Sequence, residues 1–222
     1  MSESARHDPP KRESKPAEPR LLDAWCEWLE ALATDAEAAL AAAMAYKELD
    51  AGGRDEWLLA LEQDVPRLKV PRIAVYAPLL AVEGDPARRE RISAAIGPAD
   101  VGATPRAAAR ALCGMTRQGT RIATLVAPLY LDFVQVLACG YTTTAGFEWV
   151  KHDPIVDRTA APTPGAEVAG VLLESTPLKP LIDELAHAVV AHARNGRPVP
   201  EPLKMFADLF GPRSEAGLLP ER

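Results

Sequence analysis

The stretch LYLDFVQVLACGYTTTAGFEWVK, residues 129–151, decides how the chain is read. Leu129 to Ala138 carries Leu, Tyr, Phe and Val on both alternating sets of positions, the pattern of a strand buried on both faces. Gly140 to Gly146 is a Gly/Thr loop, and Phe147 to Lys151 returns to aromatic and β-branched side chains. Such side chains fit a pleated surface, so the stretch predicts a hairpin. Thr120 to Ala127 predicts a strand before it, and Glu167 to Leu173 a fourth after the Asp157 to Gly165 loop. Helices are expected to cover the doubly buried strand.

Upstream, the hydrophobic period changes to that of helices. Leu22, Trp25, Leu29, Leu32, Ala36, Ala39, Ala43 and Tyr46 recur in steps of three and four, which predicts one helix from Leu21 to Leu49. Its stripe needs a partner, expected within the chain's own bundle. Asp50-Ala51-Gly52-Gly53 breaks it, and Arg54 to Val65 predicts a second helix with Trp57, Leu58 and Leu61 inward. Arg72 to Val82 fits a helix or a strand; its helical surroundings favour a helix, kinked at Pro78 unless that residue starts a new turn. Asp85-Pro86 opens a helix through Ile96, stopped by Gly97-Pro98, and Thr104-Pro105 opens one through Leu112.

Downstream, Thr176 to Gly196 predicts a helix, capped by Ser175 or Thr176, with Pro177 at its first position and Asn195-Gly196 as its stop. At 100° per residue, Leu178, Ile182, Leu185, Val189 and His192 fall on one side, with Asp183, His187 and Arg194 nearly opposite. Glu201 to Phe210 predicts a last helix with Leu203, Phe206 and Phe210 inward. The expected fold is α+β and predominantly helical, an N-terminal helical bundle portion followed by a C-terminal antiparallel hairpin or small sheet covered by helices. Residues 1–19, with four prolines among charged side chains, read as a disordered tail. Residues 20–212 read as a single helix-rich domain, helical over 20–115 and mixed α/β over 118–212, and residues 213–222 as a flexible C-terminus.

With 222 residues, 48% of them apolar, the chain has material for a sizeable core. A formal charge of −6 repels polyanions, which argues against general nucleic-acid or anionic-membrane binding. Arg88, Arg89 and Arg91 cluster, but Glu83, Asp85 and Glu90 interleave with them, so a solvated face of mixed ion pairs is expected. The polar start lacks a secretory core and no apolar run reaches spanning length, which predicts a cytoplasmic protein. Abundant Ala, with Arg in excess over Lys, suggests a bacterial source. Cys26, Cys113 and Cys139 are odd in number and widely spaced, the pattern of reduced thiols.

Two constellations offer chemistry. Glu184 and His187, three residues apart, share a helix face as in carboxylate-bridged metal bundles, but such a site needs a second Glu-x-x-His, and His152 is preceded by Glu148 at four residues. His187 and His192 diverge by about 140° and cannot share one ion. Otherwise His187 pairs with Asp183 and Glu184 in solvent, and His192 lies at the edge of the buried seam. The second constellation is Glu148, Lys151, His152, Asp153 and Asp157, in which His152 and Asp153 are candidates for a general base or metal ligand. Asp153-Pro154 is equally a turn-forming pair. A thiol mechanism would join Cys139 to His152 and Asp153. Gly140 to Gly146 lacks the Lys-Ser/Thr ending of a phosphate loop, and no Gly-x-Ser-x-Gly, His-Glu-x-x-His or dinucleotide glycine pattern occurs. The expected function is therefore a non-catalytic binding or accessory component of a bacterial cytosolic protein assembly, without cofactor, meeting another protein or itself through a helical surface. The alternative is a metal-dependent enzyme holding zinc, iron or manganese with Glu184, His187, His152 and Asp153.

Overall fold

The computed structural model describes residues 19–97, 108–204 and 206. Its first two helices, α1 (Pro19–Ala31) and α2 (Ala36–Glu48), replace the single helix expected over 21–49. The break has a local cause. Asp35 takes an extended conformation and its carboxylate accepts from the amides of Glu37 and Ala38, satisfying donors that a new helix start leaves open. The stripe of apolar residues therefore folds back on itself, and Leu29, Leu32, Ala39, Ala43 and Tyr46 are buried in one cluster.

Asp50 repeats the device. Its side chain accepts from the Gly53 amide and starts α3 (Ala51–Asp64), so Gly52 and Gly53 sit in a first turn. Trp57 on α3 meets Trp25 and Trp28 with ring centroids 5.5 and 6.2 Å apart, and each tilted or edge-on pair adds roughly 1 kcal/mol beyond its buried area. After a 3-10 turn at Val65–Arg67 come α4 (Arg72–Leu80), which contains Pro78, and α5 (Pro86–Ile96). The last runs as expected, with Asp85 as its cap and Gly97 at φ +74° beyond its end.

Glu83 ties these helices together. Its carboxylate is buried and accepts from Tyr46 Oη at 2.7 Å, the Asp85 amide at 2.7 Å, Arg88 Nε at 2.8 Å and Arg54 Nη1 at 3.4 Å. Arg88 thus pairs with Glu83 in a buried strut between α2, α3 and α5 instead of on a solvated face, while Arg91 does make a half-exposed pair with Glu62.

The sheet is larger than a hairpin. Strands β1 (Arg110–Met115), β2 (Arg121–Pro128), β3 (Phe133–Thr142), β4 (Gly146–Asp157) and β7 (Glu174–Thr176) form an antiparallel sheet in the order β4-β3-β2-β1-β7, and β5 (Glu167–Val168) pairs separately with β6 (Val171–Leu172). The fold is α+β, with seven α-helices among the described residues, but it is not predominantly helical. The largest correction concerns the helix expected over Thr104 to Leu112. Residues 104–107 lie outside the described ones, and Arg110 to Leu112 open β1. Burial explains it: Ala111 and Cys113 join one core cluster while Leu112 between them joins another, an alternation that only a strand can satisfy and that overrides alanine's helix preference.

Helix α6 (Leu178–Arg194) covers one face of the sheet, burying Leu181, Ile182, Leu185, Ala188 and His192. Each fully buried Leu or Ile there contributes about 2 kcal/mol. Ser175 and Thr176 belong to β7 and do not cap α6; Pro177 precedes its first turn without a side-chain cap, and Gly196 at φ +72° ends it. The opposite face is covered not by a helix but by residues 158–173, with Ala161, Val171 and Leu173 buried against it. Helix α7 (Glu201–Lys204) follows; of the expected remainder to Phe210 only Phe206 is described, buried against the sheet. Residues 1–18 of the expected tail and the expected flexible C-terminus lie outside the described residues.

Two outcomes follow from this packing. Gly146 stands at φ +82°, and a Cβ on it would lie 2.6 Å from His192 Cβ, so Gly146→Ala is expected to destabilise the fold by more than about 2 kcal/mol in urea titration, combining backbone strain with a collision. At Glu83, burial favours the neutral carboxyl, but the bonds from the Asp85 amide, Tyr46 and Arg88 outweigh it and hold the pKa down to about 2, against an ordinary value of 4.5. A group depressed by folding contributes stability above its unfolded pKa and loses it as pH falls toward the folded value. The urea midpoint is therefore expected to fall between about pH 4.5 and about pH 2, and Glu83→Gln removes this component of the acid limb while lowering stability at neutral pH.

Candidate sheet-face binding site

Strand alternation decides which polar residues can meet. On β4, Trp149, Lys151 and Asp153 pair across to Gly140, Ala138 and Val136 of β3, whereas His152 pairs with Leu137. Val136 belongs to the face covered by 158–173, and Leu137 to the face covered by α6. His152 and Asp153 are therefore on opposite faces of the sheet, as adjacent strand residues must be. The base-and-orienter pair expected from sequence is not assembled.

On the α6 face, His152 Nε2 lies 3.3 Å from Gln135 Oε1, and its ring stands edge-on to Phe206 at 5.4 Å. Burial pushes its pKa below the ordinary imidazole value, against the pull of the Asp153 charge, so the ring is neutral at neutral pH. Cys139 is on the same face, fully buried, and burial pushes its thiol up to about 12. A thiol so held is not a nucleophile.

Glu184 is committed elsewhere. It accepts from Tyr141 Oη at 2.8 Å and pairs with Arg121 at 3.0 Å, tying α6 to β2 and β3. His187, one turn along, is exposed. His192 is buried, more deeply than a seam-edge position would be: Nδ1 accepts from the Phe147 amide at 3.1 Å and Nε2 faces the Pro198 carbonyl at 3.1 Å, so Nε2 carries the proton. Among the described residues no three His, Cys, Asp or Glu side chains converge as a metal site requires. Glu184, His187, His152 and Asp153 thus do not form a common ligand set.

A different site emerges on the face under residues 158–173. The register aligns Leu112, Thr124, Ala138 and Lys151 in one row across β1 to β4, and Gly114, Ile122, Gly140 and Trp149 in the next. Small side chains at Thr124 and Ala138 leave a hollow in the middle of the sheet. Gly140 lets the Trp149 indole lie down on the backbone, where a Cβ would run into its nitrogen. The result is a cavity of about 460 Å³ floored by Thr124, Val136 and Ala138, walled by Trp149 and Val156, and roofed by Ala160, Pro162, Val168 and Ala169. Lys151, exposed, and Asp153, half-exposed, pair 3.1 Å apart at its mouth. A second cavity of about 610 Å³, between the start of α2 and the end of β4, adjoins it through Val156 and Ala160.

Of the sequence candidates, only Asp153 and Lys151 reach this cavity. Thr124 and Trp149 were missed because small residues on a strand face mean nothing until the register aligns them. No family model matches the chain, and neither a curated protein nor a solved structure matches it.

The role of Glu184 is open to direct test. Glu184→Ala is expected to lower stability by about 1 kcal/mol, the discounted value of a half-exposed charge-assisted bond, equally with and without a metal chelator in thermal denaturation. His187→Ala is expected to change stability by less than about 0.5 kcal/mol.

Proposed function

We propose that the protein is a non-catalytic binding or accessory component of a bacterial cytosolic protein assembly. The observation that carries this reading is the separation of His152 from Asp153 by the sheet, which leaves the expected acid–base pair unassembled. Its neighbours are tied into structure: Glu184 to Arg121 and Tyr141, and Glu148 to the Thr120 hydroxyl at 2.9 Å. Catalysis by general base or nucleophile needs such groups free and within hydrogen-bond reach of one another.

Exposed apolar side chains on the first three helices support association through a helical surface. Leu21 on α1, Met44 on α2 and Leu59 on α3 are 66%, 45% and 51% exposed, and burying each would contribute about 1 to 2 kcal/mol to an interface. β4 is an edge strand of the sheet; Phe147 at its start is bonded to His192 and Arg197, and the stretch beyond it suits pairing with another chain. Among the described residues, no helix is long and apolar enough to cross a membrane.

Light scattering across a concentration series tests self-association, and cross-linking in the native host tests a foreign partner. The expected result is a species heavier than one chain, or a cross-linked partner, that is lost when Leu21, Met44 and Leu59 are all replaced by Lys. A monomer at every concentration that cross-links to nothing overturns the proposal.

A further inference from the structure

Thr124 Oγ1, Tyr130 Oη, Arg121 Nε and Arg158 Nε are buried without a hydrogen-bond partner, and of these residues Thr124 is the one that lines the cavity under residues 158–173. Thr124 is 0% exposed, and its Oγ1 has no hydrogen-bond partner. A buried hydroxyl without a partner costs about 1 to 3 kcal/mol, and valine would fill the same space in a strand without that cost. It lines a cavity whose other walls are apolar apart from Lys151 and Asp153. The volume is of the size that takes small ligands, roughly 300 to 1,000 Å³.

The rest of the cavity specifies what such a ligand must look like. Trp149, spread over Gly140, offers a flat aromatic wall. At the mouth, Lys151 offers donors and Asp153 an acceptor; together they carry no net charge, and an exposed pair of this kind contributes little and is free to rearrange around a ligand. Burying a net charge against Val136, Val156 and Val168 would carry a desolvation cost that nothing deeper in the cavity offsets.

The cover is a loop whose outer part is held by its own main-chain bonds. The main-chain bonds of its outer part run within the segment, from Gly165 to Leu173, Leu173 to Ala166 and Ala166 to Thr163, with β5 pairing only to β6. It is seated on the sheet by the side chains of Ala161, Val171 and Leu173, and Thr124 lies beneath it.

We propose that this cavity binds a small neutral aromatic compound with a hydrogen-bonding group at each end, one meeting the Thr124 hydroxyl and the other, carrying both donor and acceptor, meeting Lys151 and Asp153. The site is independent of whether the protein belongs to an assembly.

Three probes of one shape test the inference on the full chain: 6-hydroxy-2-naphthamide, 2-naphthamide without the inner hydroxyl, and the anionic 6-hydroxy-2-naphthoate. The readout is fluorine NMR of protein labelled with 5-fluorotryptophan. The chain has four tryptophans, and Trp149→Phe identifies the resonance of the one at the cavity. Saturable movement of that resonance is expected, with 6-hydroxy-2-naphthamide binding about three- to tenfold more tightly than 2-naphthamide, the worth of one hydrogen bond, and more tightly than the naphthoate. Thr124→Val is expected to erase the difference between the two amides, Thr124→Ser to keep it, and Ala138→Leu to abolish binding by filling the hollow. The inference is overturned if no probe moves the Trp149 resonance, if the anion binds best, or if Thr124→Val leaves the difference between the amides intact.

Discussion

Two-sided burial of β3 is the constraint on which the rest of the structure depends. Val134, Val136 and their neighbours need cover on one face, and Leu137, Cys139 and Tyr141 on the other. A shift of one residue in register would exchange the two sets, so the pairing with β2 and β4 is strongly specified. Helix α6 answers one face and the segment 158–173 the other. β4 slips register opposite Val134 to Val136, an irregularity of the kind that bends a strand. Beyond it, Ile155 and Phe133 join Tyr130 in the core of the N-terminal helices.

Polar groups with several partners then hold these layers in one arrangement. Glu83 joins three helices, Glu184 joins α6 to the sheet, and His192 joins α6 to the start of β4 and to the chain beyond Gly196. Glu83 and His192 are buried and Glu184 is half-exposed, and each has more than one partner, as the two buried groups must. Breaking one partner costs more than forming the pair gains, so the value of such groups is in excluding other packings. Against that background the buried hydroxyls of Thr124 and Tyr130, both without a partner, stand out.

Much of the helical architecture is readable in the residues. The period of three and four in 178–194, the Asp85-Pro86 start and the Asn195-Gly196 stop are local signals, and the helices stand where they point. The Asp50 break is of the same kind, although α3 begins three residues earlier than the glycines suggest. Asp35 is the counterexample. Its capping chemistry was present in the sequence, yet an unbroken apolar stripe concealed it, because a stripe folded back on itself reads like a continuous one. The site was less legible. His152 and Asp153 looked like a unit because they are adjacent, which in a strand is what separates them.

By itself the sequence determined the element types with strong periods, the caps and stops, and the presence of an antiparallel hairpin, because these rest on bonds and burial within a few residues. Only the tertiary structure decided that Arg110 to Met115 is a strand, that a loop and not a helix covers the second face, and that Thr124, Ala138 and Trp149 enclose a cavity. Those outcomes depend on which residues stand opposite one another across four strands. That register is set by the burial of both faces at once, a long-range condition that no local pattern contains.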